Sequence, residues 1–283
     1  MIKYSKMVIS GGGINGIAIV GAISEFSKYN DLKNIKEIIG VSVGSIIALL
    51  ISIGYTINEI RDLFLNIQMN EFTQYELHNI FETYGGDNGN MSKNLLKAIL
   101  INKKYKSDLT FEELYKLNDI KLIVTCTNLT LGRAEYFSVD NHPKMVIIDT
   151  IRMSMSFPLV YSPVKFEGYL YVDGGVLSPY PIEYFGNDTD VIGFLINRNT
   201  VIPNNKDTHY DTTTLDKYLY SLLFSILDSY QDRCYIGYES NTVFMNKNDL
   251  IKNVFSFNLT YEIKKKLLKI GEDCYLKFMQ NKS

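Results

Sequence analysis

Three short groups of residues in this chain could together perform acyl transfer. Gly40-Val41-Ser42-Val43-Gly44 sets a serine between two glycines. The β-branched run from Ile35 to Ile39 precedes it and the apolar run from Ser45 to Ile51 follows, so it falls at a strand-to-helix junction. G-x-S-x-G in that context is the pattern of a nucleophile elbow. The turn is tight, the serine backbone is strained, and side chains two residues to either side would clash. The serine also opens a helix, whose dipole favours developing negative charge.

Upstream, Gly11-Gly12-Gly13-Ile14-Asn15-Gly16 formally matches the dinucleotide fingerprint G-x-G-x-x-G. That fold needs an acidic residue at the end of the second strand for the ribose hydroxyls. Here the serine turn occupies that place and Glu37 lies inside the strand, so the nucleotide reading fails its context. The loop suits an oxyanion hole better: bare backbone N–H groups at a helix start can point at a developing alkoxide. The carboxyl ends of neighbouring parallel strands lie side by side, so loop and serine would share one crevice.

A nucleophilic serine needs a base. The histidines are His78, His142 and His209. Ser42, Asp173 and His209 follow the chain order of an α/β-hydrolase triad. Against it, His209 lies in a polar Asn- and Thr-rich stretch, and only two strands precede the serine. Asp173, ending a strand before Gly174-Gly175, is the other candidate base. Its bland alternative is an Asx-turn. As a base it needs partial burial near Val172 and Val176 to raise its basicity above the reference pKa of about 3.9.

The elements that must carry these groups follow from the patterning. A strand over Lys6–Ser10, the glycine loop, a helix over about Asn15–Lys28, the second strand and the serine turn open the chain as β-turn-α-β-turn-α, the mark of a parallel sheet. Helical spacing continues from Ile57 to Ile67. Gly85 to Asn90 is a break, with Ser92 capping a helix through Leu100. Thr110-Phe111-Glu112-Glu113 is a capping box. Lys121–Thr127 and Ala134–Val139 read as strands and Pro143–Ser156 as helix. Val164–Val172 reads as a hairpin turning at Glu167-Gly168, and Val191–Ile196 as a buried strand. The polar run from Asn197 to Thr214 reads as a long loop and a candidate lid; helices over Leu215–Tyr238 and Tyr261–Met279 close the chain, with a short strand or two between.

The 283 residues suffice for one large core. A net charge of −2 gives no basic footprint for nucleic acid. Cys126, Cys234 and Cys274 are too few and too scattered for a disulfide framework or metal motif, which points to a reducing, cytoplasmic setting. The uncharged run Ile38–Tyr55 reads as strand, turn and helix rather than a membrane span, because Gly40, Ser42, Gly44 and Ser45 crowd its first half. The glycine-interrupted N-terminus does not read as a signal peptide.

The glycine loop, the Ser42 pentad and Asp173-Gly174-Gly175, in this order, resemble the patatin-like phospholipase family. Arg152-Met153-Ser154-Met155-Ser156-Phe157-Pro158 resembles that family's Ser-rich segment before the aspartate hairpin. The resemblance runs from about Lys6 to Tyr184. It implies an α/β three-layer sandwich with a mostly parallel central sheet and helices on both faces. The catalytic core would span residues 6–186, with a mostly helical C-terminal extension, 187–283, packed on the same domain. It further implies Ser42 as nucleophile, Asp173 as its base, and Gly11, Gly12 and Gly13 as oxyanion hole, with Gly16, Gly40, Gly44, Gly174 and Gly175 completing the motifs. The chemistry would be phospholipase A-type hydrolysis of acyl esters in phospholipids or other acyl lipids through an acyl-serine, without metal or cofactor. The enzyme would work peripherally at a membrane surface, with no transmembrane segment. Asn15 stands where the family usually has Arg or Lys, and this departure is the one support for the rival reading, a non-catalytic lipid-binding or regulatory protein.

Overall fold

The structure, a computed structural model, describes residues 3–68, 70, 74–197, 212–231, 233–246, 250–251 and 258–282. Strand β1 (Lys6–Ile9) leads through the glycine loop into helix α1 (Gly16–Phe26); β2 (Glu37–Val41) leads through Ser42 into α2 (Val43–Ser52). Next come α3 (Ile57–Asn66), α4 (Asn79–Thr83), β3 (Gly85–Asp87), α5 (Asn90–Asn102) and α6 (Phe111–Asn118). Then follow β4 (Lys121–Asn128), β5 (Arg133–Phe137), α7 (Ile147–Ser154), β6 (Leu159–Tyr161), β7 (Val164–Phe166) and β8 (Tyr169–Asp173). The described chain continues with β9 (Val191–Asn197), α8 (Leu215–Gln231), β10 (Thr242–Asn246) and α9 (Tyr261–Lys282).

The main sheet has the order β10-β9-β1-β2-β4-β8-β7, with β5 also paired to β4. Its first five strands are parallel; β8, β7 and β5 join antiparallel. The fold is therefore mixed α/β around a mostly parallel sheet. The parallel strands are apolar almost throughout, as sheets covered on both faces are. Met7 and Ile9, Ile38, and Leu122 and Val124 face one core, which α1, α2 and α9 close. Val8, Ile39 and Ile123 point the other way, against Tyr180, Ile182 and Phe185. Among the described residues that second layer is built from a short 3-10 turn over Ile182–Phe185 and from Tyr235 and Tyr238, not from a long helix.

Both strands β9 and β10 come from beyond residue 187 and extend the sheet beside β1, while α9 lies along α1. The later third of the chain thus contributes strands as well as helices. Gly85–Asp87, which reads as a break, forms a short parallel pair with β6. Glycine-rich sequence hides a strand whose only support is its partner. Helix α5 starts at Asn90 with Gly89 before it, so Ser92 sits inside the first turn and not at the cap. The expected helix over Pro143–Ser156 is shorter, Ile147–Ser154, and α8 ends at Gln231, before the Tyr238 expected. The hairpin turns at Glu167-Gly168, both with positive φ (48° and 84°). The expected loop over Asn197–Thr214 lies outside the described residues except at its two ends.

Candidate active site

Ser42 adopts φ 53°, ψ −124° between β2 and α2. A non-glycine residue there is strained by about 1–3 kcal/mol and persists only when its surroundings hold it. Two of those constraints are its flanking glycines. A Cβ on Gly40 would stand 2.5 Å from the Gly44 carbonyl oxygen, and one on Gly44 would stand 2.5 Å from that of Ile9. A third constraint is a relay: the Ser42 N–H donates to Ser154 Oγ at 2.9 Å, and Ser154 Oγ donates to the Thr125 carbonyl at 2.7 Å. Ser154 is fully buried.

Sheet register brings the other groups level with Ser42. Ile9 pairs with Gly40, so two residues further on Gly11 arrives beside Ser42, where its Cβ would lie 3.5 Å from that of the serine. Val41 pairs with Thr125, and Asp173 with Cys126. Strand β8 joins only the last three residues of β4, an overhang past the end of β2. Ser42 and Asp173 therefore flank Cys126 from opposite sides, about two strand spacings or roughly 10 Å apart at their α-carbons.

Asp173 is buried, and its Oδ1 accepts the Gly175 N–H at 2.7 Å. Its own N–H donates to the Ser156 carbonyl at 2.9 Å. Gly174 packs directly on Thr125, where a Cβ would come within 2.2 Å of the carbonyl oxygen. Burial and the neighbouring Asp173 carboxylate push the Cys126 thiol well above the ordinary cysteine range, so it is no rival nucleophile.

The glycine loop is a 3-10 turn over Gly13–Asn15 opening α1, with Gly16 set against Val43. The Gly11 N–H donates to the Pro179 carbonyl at 3.3 Å. Among the described residues, no hydrogen bond engages the N–H of Gly12 or Gly13. Asn15 points away from solvent: its Nδ2 donates to the Ile251 carbonyl at 3.0 Å, and its Oδ1 accepts the Ile251 N–H at 3.1 Å.

His142 packs at a tilt on Phe137 beside Asn141, and His78 is an exposed partner of Glu76. Neither is hydrogen-bonded to Ser42. His209 lies outside the described residues. Among the described residues no group of three or more His, Cys, Asp or Glu could hold a metal ion, and no helix is long and apolar enough to cross a membrane.

Ser154 and Arg152 show no role as single residues in the sequence; the Arg-x-Ser-x-Ser spacing is the available signal. Arg152 Nη1 donates to Ser156 Oγ at 2.5 Å, and Nη2 donates to the carbonyls of Asn88 and Ser162. The guanidinium thereby ties the end of α7, next to Asp173, to the β3–α5 and β6–β7 connections.

The profile of the patatin-like phospholipase family matches residues 7–185, the span that holds every motif above. Uncharacterized protein R571 of Acanthamoeba polyphaga mimivirus is 34% identical over 276 residues, covering 95% of this chain and 91% of that protein. Probable lipid hydrolase 463L of Invertebrate iridescent virus 6 is 31% identical over 189 residues, 64% of this chain and 62% of that one. Among solved structures, VipD from Legionella pneumophila superposes with a TM-score of 0.64 at 16% identity, covering 99% of this chain and 67% of its own, a likeness of fold. With the family profile spanning most of the chain, this protein belongs to the patatin-like phospholipase family.

Proposed function

We propose that this protein is a phospholipase A-type lipid acyl hydrolase in which Ser42 is the nucleophile and Asp173 its general base. The observation that carries the reading is the strained Ser42 backbone at a strand-to-helix turn, level with Asp173 across a single intervening strand. Strain of that kind concentrates at functional sites.

In this mechanism Asp173 takes the proton from Ser42 Oγ as the oxygen attacks the ester carbonyl. The Gly175 N–H, bonded to Oδ1, fixes the carboxylate plane. The developing oxyanion is assigned to the N–H groups of Gly12 and Gly13, since that of Gly11 already serves Pro179. Collapse expels the alcohol, which receives its proton from Asp173. Water activated by the same carboxylate then hydrolyses the acyl-serine. No step calls on a metal or cofactor. Substrate lipid would be met at a membrane surface, peripherally.

The test is hydrolysis of soluble and vesicle-borne acyl esters by purified protein, with covalent capture of Ser42 by a fluorophosphonate. Ser42→Ala and Asp173→Asn should each abolish turnover, and Ser42→Ala should also abolish labelling. Full activity in Ser42→Ala would overturn the assignment. A folded wild-type protein that neither turns over ester nor labels would favour the lipid-binding alternative.

A further inference from the structure

A cleft of about 910 Å³ lies between the start of α5, the start of α7 and the β7–β8 hairpin. Neither Ser42 nor Asp173 lines it. Its charged lining is Lys93 from α5, Lys144, Asp149 and Arg152 from α7 and the segment before it, and Lys165 and Glu167 from the hairpin. Four cations thus face two carboxylates, in a chain whose net charge is −2. Lys93 is paired with Asp149 at 2.5 Å. Lys144 and Lys165 are exposed, and among the described residues neither side chain holds an ion pair or a hydrogen bond.

Arg152 is the unusual member of this set, because it is 7% exposed and charged. Buried charges are ordinarily paired with an opposite charge. Among the described residues the hydrogen-bond partners of this guanidinium are all neutral: Ser156 Oγ and the carbonyls of Asn88 and Ser162. Its remaining N–H groups have no partner there. The Tyr161 ring centre lies 5.4 Å from Cζ. Asp87 is in range to attract it, but its carboxylate oxygens accept the N–H groups of Gly89 and Gln74. Burial pulls the Arg152 pKa down in spite of that neighbour. The backbone is shaped to keep the group in place: Gly89 has φ 72°, and a Cβ on it would stand 1.9 Å from Arg152 Nε.

We propose that this cleft is a second binding site, apart from the acyl-transfer centre, for an organic phosphate monoester. A phosphate monoester carries close to two negative charges at neutral pH, which matches the excess of two cations. Lys144, Lys165 and Arg152 hold the phosphate, with Lys93 shared between it and Asp149. The volume exceeds what inorganic phosphate needs and is that of an ordinary small-molecule site. Met145, Pro163 and Phe166 supply an apolar wall for the organic part. Soluble phosphomonoesters and phosphatidate headgroups share this chemistry, and the test separates them.

The experiment is calorimetric titration of the full chain with phenyl phosphate, beside flotation with ether-linked phosphatidate vesicles, which carry no ester to hydrolyse. Ether-linked phosphatidylcholine vesicles are the comparison. Saturable binding of phenyl phosphate tighter than about 1 mM is expected. The double variant Lys144→Glu/Lys165→Glu should weaken it about tenfold or more, with soluble-ester hydrolysis unchanged. The control pair Lys265→Glu/Lys266→Glu, exposed on α9, should leave it within about twofold. Phenyl phosphate binding without a preference for phosphatidate vesicles assigns a soluble ligand. A phosphatidate preference lost in the Lys144/Lys165 variant alone assigns the headgroup. Binding to neither probe would overturn the proposal, as would equal losses in the two double variants.

Discussion

The Ser42 N–H donates to Ser154 Oγ at 2.9 Å, so the strained turn is held by a side chain 112 residues away in sequence. The same hydroxyl donates to the Thr125 carbonyl, which ties β2, β4 and α7 together at one atom. Removing it leaves a buried N–H and a buried carbonyl without that partner, a loss of about 1–3 kcal/mol. Ser154→Ala should therefore lower kcat by tenfold or more with KM little changed, and slow fluorophosphonate labelling in step. Unchanged labelling kinetics in a folded variant would count against this positioning role.

Asn15 and Ile251 exchange two hydrogen bonds, of 3.0 and 3.1 Å, in the manner of paired backbone amides. The residue that departs from the family's usual Arg or Lys thus joins the glycine loop to the C-terminal part of the chain. Asn15→Asp keeps the acceptor and replaces the amide donor with a charge; Asn15→Ala removes both. Each should destabilise by about 1–3 kcal/mol and reduce kcat more than KM. Limited proteolysis near residue 251 should quicken in both variants. Wild-type cleavage rates would contradict the tie.

Gly44 admits no side chain because the carbonyls of Ile9 and Ser10 lie 2.5 and 2.6 Å from where its Cβ would stand. Both contacts are backbone at the end of β1, which cannot rotate aside. Gly44→Ala should push α2 away from β1, costing about 1–3 kcal/mol or more, and misplace Ser42 with it. Thermal unfolding and ester hydrolysis should both suffer. A variant as stable and active as the parent would refute the close approach.

Acid should weaken the capping box that opens α6. Glu113 is held at a pKa of about 2, chiefly by Lys106 and then by the Thr110 N–H at the start of α6. Its folded pKa lies below the unfolded value of about 4.3, so its contribution is present above pH 4.3 and is lost as pH falls toward 2. Glu113→Ala should lower Tm by a few degrees at pH 7, and the difference from wild type should vanish near pH 2. Because the pair is largely exposed, salt should shrink the effect. A difference that persists at pH 2 would mean the glutamate acts through packing instead.

The sequence alone determined the opening order β1-α1-β2-α2, the strands β4, β5, β7 and β8, and the identity of the chemical groups. Gly40 and Gly44 mark the turn on either side of Ser42, because only residues without a Cβ fit where the next helical turn and β1 press in. Glu167-Gly168 and the Thr110–Glu113 capping box were likewise legible, since their bonds close within a few residues. What spans long separations was not. The strand β3 exists only because β6 pairs with it; the second layer over Val8 and Ile39 is made by a 3-10 turn that has no periodicity to read. The roles of Ser154, Asn15 and Ile251 depend on hydrogen bonds that close only after the sheet and helices have packed. Above all, Ser42 and Asp173 come level on either side of β4 through register: β4 outruns β2, and β8 pairs with the overhang to stop Asp173 beside Cys126. Residue types fix what each group can do; the pairing of four strands fixes which groups can do it together.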